Sequence, residues 1–406
     1  VAKIIPFKAV RPAPDKVSLV TCRTYDDYSP AELAAWLDFN PFSFLHVLNP
    51  AYVNTQKIGL EKRFKNVALK YHDFKEDKVF VVEDKPVFYL YEIQTKIQTF
   101  VGFVVGTAID DYRNNVIKKH EDTFQYRVEL FKDYLHQTKF NTEPVLMMYP
   151  DNEELNEWIT QKMASPSLYA FSTTTKEKHT LWKIDEDDAI QWLQDKFASM
   201  QELYIADGHH RTASAELLLE QDAASGNERL NYFMSFLMAE STIKIHEYNR
   251  IIRDLNGYSK QAFIEKLSEH FIVKAKGQEL WKPESKFEFG MYLDGYFYAM
   301  FYKQDPNANH SIIENLDAQI LYDKVLLPLL GIEDLRNDER IDYIPGNQSI
   351  ITIKEIVDEG EFEVGFMLYP TSITEIKELA DNNLIMPPKS TYIEPKFRSG
   401  LIIYEL

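Results

Sequence analysis

The chain has 406 residues, 45% of them hydrophobic and 14% aromatic, and carries a formal charge of −18 at pH 7. That composition supports a large buried core in two or three lobes, and the acidic surplus sets up a mean field that repels nucleic acid and anionic lipid. The single cysteine, Cys22, excludes an internal disulfide framework and any four-cysteine zinc module, and reads as a small buried hydrophobe. No run approaches the ~18 consecutive apolar residues of a membrane helix, and Val1 to Pro6 lacks a basic segment followed by an apolar signal core, so a cytoplasmic protein without a membrane partner is expected. There are no low-complexity linkers or visible repeats, so the lobes are expected to abut.

In chain order, an N-terminal α/β lobe, 1–150, opens with a helix signalled by Ser29-Pro30-Ala31-Glu32, where a serine N-cap, a first-turn proline and a capping-box glutamate coincide. Stretches rich in Val, Phe and Tyr at 79–82, 87–93 and 99–107 read as strands. Asp151 with Glu154 repeats the cap-and-acid spacing and opens a central lobe, 151–250. Within it 188–200 reads as helix, 203–206 as strand, 212–224 as helix stopped by Gly226, and 232–238 as an apolar strand. Strand, turn, helix, strand is the order of a parallel βαβ crossover, whose ligands collect at the carboxyl ends of strands.

The C-terminal α/β lobe, 251–406, begins with a helix near 259–271 and a hairpin of 287–293 with 296–302 about the Asp294-Gly295 turn. A helix at 317–330, two strands flanking Asp358-Glu359-Gly360, and a last helix behind the Ser372–Glu375 capping box complete it. The expected class is α/β, with mixed sheets and antiparallel additions.

Asp207-Gly208-His209-His210-Arg211 packs an acid, a glycine, two imidazoles and a guanidinium between a strand-like and a helix-like run. It therefore falls at a helix N-terminus, where unpaired amides and the helix dipole favour an anion. Arg211 can grip phosphate or carboxylate bidentately, both imidazoles can donate, and the Gly208 turn and Thr212 complete a phosphate-handling loop. A carboxylate beside an anion needs its own task, and Asp207 is expected to hold Mg²⁺ or accept a proton. The plainer alternative makes Asp207 an N-cap and His-His-Arg a solvated first turn. Zinc is disfavoured, because adjacent histidines project about 100° apart on a helix.

Two further clusters stand out. His120-Glu121-Asp122-Thr123, after two lysines, offers Glu121 as a general base and His120 as a phosphate contact, or is simply an exposed charged helix start. Met386-Pro387-Pro388-Lys389-Ser390-Thr391 presents an ammonium and two hydroxyls from a stiff loop, or is a plain turn before a strand. His246-Glu247 with Asn249-Arg250 reads as structural. Phosphate-loop, dinucleotide-fold and nucleophile-elbow glycine patterns are all absent from the sequence.

Several of these residues carry a resemblance. Pro6-Phe7-Lys8-Ala9-Val10-Arg11-Pro12, Asn40-Pro41 with Ser43-Phe44-Leu45-His46-Val47, His120-Glu121 with Thr123, the string Ala206 to Arg211, and Met386-Pro387 with Lys389-Ser390-Thr391 resemble, in order and over nearly the whole chain, the bacterial and archaeal domain of unknown function family 1015. The Asp-Gly-His-His-Arg string also resembles the signature of the ParB/sulfiredoxin superfamily, which includes kinases of free L-serine. That resemblance implies a ParB/sulfiredoxin-like central unit around the turn. It further implies nucleotide phosphates on His209, His210 and Arg211, magnesium or proton transfer at Asp207, and a separate glutamate acting on the acceptor hydroxyl. No residue matches that glutamate by pattern; Glu121 is the candidate by its neighbours. Sulfiredoxins need a cysteine where His209 stands, which excludes sulfinic-acid reduction here, and the net charge opposes a DNA-binding partition protein.

The sequence thus leads to a Mg²⁺-dependent phosphotransferase acting on a small hydroxyl substrate, with free L-serine favoured and a nucleotide such as ATP or ADP as donor. A nucleotide- or metabolite-binding regulatory protein without turnover is the alternative, and a phosphate-ester hydrolase a third. Glu121 and Lys389 are expected to converge with the His209–Arg211 cluster on one cleft, to within about 10 Å.

Overall fold

Two stretches rich in Val, Phe and Tyr, 88–94 and 99–108, pair in the middle of the larger sheet. The computed structural model describes residues 1–304 and 310–406. It divides into two compact units: Val1–Lys119, Thr123–Ile243 and Pro395–Leu406 form the first, and His120–Asp122 with Lys244–Glu394 the second.

The first unit holds a nine-stranded mixed sheet. Its strands are β1 (Ile4–Ile5), β2 (Phe88–Gln94), β3 (Thr99–Ala108), β4 (Ile117–Lys118), β5 (Val145–Tyr149), β6 (Tyr169–Ser172), β7 (Lys178–Ile184), β8 (Leu203–Asp207) and β9 (Tyr232–Ala239). They lie in the order β4-β8-β5-β9-β3-β2-β7-β6, with β1 beside β3. Phe88, Leu90, Phe103, Leu203, Ile205 and Leu237 are almost wholly buried in its core. Each such side chain contributes about 1.5–3 kcal/mol by leaving water.

Helices α1 (Pro30–Phe39), α2 (Leu45–Tyr52), α3 (Leu60–Glu76) and α4 (Gln125–Thr138) precede α5 (His209–Gln221) in this unit. The Ser29–Glu32 capping box forms as expected. The later cap moves by one residue: Asn152, not Asp151, accepts from the Leu155 amide, because its carbonyl-type oxygen reaches the third amide of the helix that begins at Glu153.

The expected βαβ crossover is not formed. β8 pairs antiparallel with β5, β5 pairs parallel with β9, and β8 and β9 therefore run in opposite directions with β5 between them. Local pattern fixes the order strand, helix, strand, but the direction of return depends on which distant strand inserts, here one that precedes the site by about 60 residues in the chain.

The second unit is built on a seven-stranded sheet of β10 (Lys244–Ile252), β11 (Phe271–Gly277), β12 (Glu288–Leu293), β13 (Tyr296–Tyr302), β14 (Ile341–Pro345), β15 (Val364–Met367) and β16 (Thr391–Glu394). The order is β11-β13-β12-β15-β10-β14, with β16 on the other half of β10. The β12–β13 hairpin turns on Asp294 and Gly295, both at positive φ (49° and 82°), as a two-residue turn requires.

Two expectations change here. The stretch before Asp358 is a helix, Ile350–Asp358, not a strand: Ser349 caps it, and Ile353 and Val357 form one buried stripe four residues apart. The helix expected over 317–330 is α-helical only over Asp317–Leu321 and continues as a π-helical turn, Tyr322–Leu326. The Ser372 capping box forms as expected. Among the described residues no helix is long and apolar enough to cross a membrane. Cys22 is buried, and burial pushes its thiol up to about 12.

Candidate functional site

β8 ends in a bulge. Ile205 pairs with Met147, yet Asp207 pairs with Leu146, so one extra residue enters the strand and re-aims the Asp207 side chain. Gly208 follows at φ +107° as the N-cap of α5. A Cβ at Gly208 would lie 3.3 Å from both Arg211 Nη1 and the Val145 Cα, so the position needs glycine for its conformation and for its space. Helix α5 starts at His209, three residues earlier than the pattern predicts, because the two histidines and Arg211 form its first turn.

The loop residues take distinct roles. His209 is buried, and burial drives its imidazole down to about 3 against the pull of Asp207, so it is neutral at neutral pH. His210 stacks on Phe124 with ring centroids 5.7 Å apart, and its Nε2 accepts from the Phe124 amide at 3.1 Å. That fixes the ring with its proton on Nδ1. Arg211 donates from Nη1 to the Pro144 carbonyl at 2.5 Å, while Nε lies 4.0 Å from Glu143 Oε2 and Nη2 lies 4.0 Å from Asp207 Oδ2. Thr212 is buried, its hydroxyl donating to the Gly208 carbonyl at 3.3 Å, and so serves the first turn of the helix.

Lys396 donates to Asp207 Oδ2 at 3.0 Å. Burial pushes the Asp207 carboxyl up, but Lys396 and Arg211 outweigh it and hold the group well below the usual carboxylate range. The C-terminal segment brings Lys396 there by tracking residues 139–143. Tyr404 pairs with Asn141, the Gly400 amide donates to Thr142 Oγ1 at 2.6 Å, and Ser399 Oγ donates to Glu143 Oε1 at 3.0 Å. Lys396 and Glu143 were invisible to sequence reasoning, since neither sits in a local pattern and their partners lie far along the chain.

Asp207, Glu143, Arg211 and Lys396 border a recess of about 30 Å³, room for a water or two. No cluster of three metal-ligating side chains occurs among the described residues. Magnesium carried in with phosphate needs only one or two carboxylates from the protein, and Asp207 fits that need.

The other expected residues fall in the second unit. His120 is buried and its carbonyl accepts from the Met386 amide at 2.8 Å, which brings the 120–122 and 386–391 segments together. Glu121 lies in the same three-residue segment. Lys389 adopts φ +56°, sets its ammonium 5.2 Å above the Tyr248 ring, and accepts at its carbonyl from Arg250 Nη2 at 3.1 Å. Ser390 is buried and donates to the Pro387 carbonyl at 2.7 Å, and Thr391 is buried at the start of β16. The histidine expected to be structural, His246, pairs with Glu394 at 2.9 Å.

A mixed α/β protein with a glycine-entered, cation-rich helix start as its polar centre is thereby defined. The chain belongs to the family described as "Protein of unknown function (DUF1015)", whose model matches residues 4–319. No curated protein matches it. Similar solved structures include a free serine kinase in complex with AMP, at 15% identity and a TM-score of 0.38, covering 73% of this chain and 88% of that one. A conserved hypothetical protein from Pyrococcus furiosus matches at 14% identity and a TM-score of 0.36, covering 75% and 93%. SbnI from Staphylococcus aureus, truncated at its C-terminus, matches at 13% identity and a TM-score of 0.37, covering 72% and 82%.

Proposed function

We propose that the chain is a phosphotransferase that uses a nucleotide such as ATP or ADP, with Mg²⁺, to phosphorylate a small hydroxyl compound. The observation that carries this reading is the bracketing of Asp207 by Arg211 and Lys396 at the glycine-entered start of α5. Phosphoryl transfer asks mainly for positioning and neutralisation of spread negative charge, and two cations at a helix N-terminus supply both. Neutral His209 and His210 can donate from their protonated nitrogens without adding charge, and Arg211 supplies the fork that matches phosphate oxygens. Asp207 would hold Mg²⁺, which when bound would neutralise phosphate charge. Glu121, His120, Lys389, Ser390 and Thr391 remain proposed contributors.

The test is nucleotide consumption with Mg²⁺ across a panel of hydroxyl compounds that includes L-serine. Consumption that requires an acceptor supports a kinase. Phosphate release without an acceptor makes the protein a hydrolase, and tight nucleotide binding with no consumption makes it a sensor.

A further inference from the structure

The first unit contains a second, much larger space that meets the recess at a shared wall. It measures about 450 Å³, within the usual range for small-molecule sites, and both Glu143 and Arg211 line it as they line the recess. Its sides are helical. Leu60 and Phe64 come from α3, and Leu130, Phe131 and Tyr134 from one face of α4, where residues three and four apart stack along the helix. Tyr52, at the end of α2, closes another side and is 46% exposed, while Phe131 is 41% exposed. Tyr52 stacks on Tyr25 with ring centroids 3.9 Å apart, and aromatic walls that keep part of their apolar area open are the lining expected where an apolar ligand body completes the contact.

The charged members sit asymmetrically in role. Arg63 is occupied by the Pro50 carbonyl, to which its Nε donates at 3.2 Å, and by the Ala51 carbonyl. Asp26 lines the cavity as well as Glu143; Arg127 is exposed on α4 and Arg211 lies at the junction with the recess, so two cations are placed to meet an anionic end. Glu143 is held by Ser399 Oγ through Oε1, while Oε2 faces Arg211 Nε at 4.0 Å. A fixed carboxylate between a phosphate-handling loop and an apolar cavity suits an acceptor's hydroxyl better than a second phosphate, which it would repel.

We infer that this cavity is the acceptor site and takes a hydroxylated organic anion with an aromatic or bulky apolar body, and that Glu143 is the carboxylate that receives the hydroxyl proton. The inference rests on the phosphotransferase reading. In the step, the acceptor O–H bond breaks with its proton passing to Glu143, the acceptor oxygen forms a bond to the terminal phosphorus of the nucleotide, and the bridging P–O bond breaks to release the shortened nucleotide. Free L-serine is a poor match, because it would leave the aromatic walls without a partner.

The experiment uses the full chain with 3-phenyllactate, 4-hydroxyphenylacetate and L-serine as probes, measuring binding by calorimetry and turnover with Mg-ATP and Mg-ADP. The aromatic hydroxy acids are expected to bind saturably. In Phe131→Asp and Arg127→Glu their Kd should rise about tenfold while nucleotide Kd stays within twofold, the signature of a separate acceptor site. Glu143→Gln should lower kcat about 100-fold or more with acceptor Kd little changed, as for loss of a general base. Absence of binding by both aromatic acids, or serine turnover untouched by Phe131→Asp, overturns the acceptor assignment while leaving the kinase reading in place. Weakened nucleotide binding in Phe131→Asp would make the cavity a nucleoside site and overturn it equally. If Glu121→Gln, and not Glu143→Gln, abolishes turnover, the role of Glu143 falls. Nucleotide that neither binds nor is consumed defeats the kinase reading itself, separately from any binding of the aromatic acids.

Discussion

Lys396 and Asp207 meet at 3.0 Å across 189 residues of chain, and through them the C-terminal segment closes on the end of the site strand. Lys396 is the nearer of the two cations that keep Asp207 ionised; Arg211 stands off at 4.0 Å. Lys396→Met should therefore let the Asp207 carboxyl titrate upward towards its ordinary value of about 3.9 and weaken nucleotide binding, while the sheet stays folded. Carboxyl ¹³C NMR across an acid titration reads the first effect. An unchanged Asp207 titration would show that Arg211 alone sets it.

Arg211→Ala removes the fork that faces Asp207, Glu143 and the Pro144 carbonyl. Nucleotide binding is expected to weaken by about 1.5–3 kcal/mol, the range for charge-assisted hydrogen bonds, with little loss of melting temperature. Calorimetric binding equal to wild type would take Arg211 out of the phosphate site.

Gly208→Ala places a Cβ at φ +107° and 3.3 Å from the Arg211 guanidinium and the Val145 backbone. A cost of about 1–3 kcal/mol in urea unfolding is expected from the backbone strain, together with displacement of Arg211. Wild-type stability and wild-type nucleotide affinity in this variant would show that the turn relaxes freely.

His209 gives a pH dependence whose sign is fixed by its lowered value of about 3. Between that value and the ordinary one near 6.5, the unfolded chain binds a proton that the folded chain does not, so stability is full above pH 6.5 and falls as the pH drops through the window. The slope from this one group is at most about 1.4 kcal/mol per pH unit. His209→Gln should flatten the stability profile between pH 6.5 and 4; a profile as steep as wild type would assign the acid loss to other groups.

The chain is expected not to be retained on duplex DNA at physiological salt, because acids outnumber bases 63 to 45. Retention that weakens as salt rises would return a partition-protein reading to consideration.

What the sequence determined by itself is what chemistry within a few residues decides. The capping boxes at Ser29 and Ser372, the Asp294-Gly295 hairpin and the strand-to-helix turn at Gly208 are all readable, because each depends on side chains and backbone angles no more than about four residues apart. The family membership was readable for the same reason, through ordered short motifs along the chain. Helix Ile350–Asp358 was misread because its β-branched residues favour a strand locally, whereas its Ser349 cap and the burial of Ile353 and Val357 select a helix. Tertiary structure alone decided that β5 inserts between β8 and β9, that the bulge turns Asp207, and that Lys396 and Glu143 join Arg211 around the recess. Pairing direction and long-range ion pairs arise from how distant segments share one core, and spacing along a single chain carries no record of that choice.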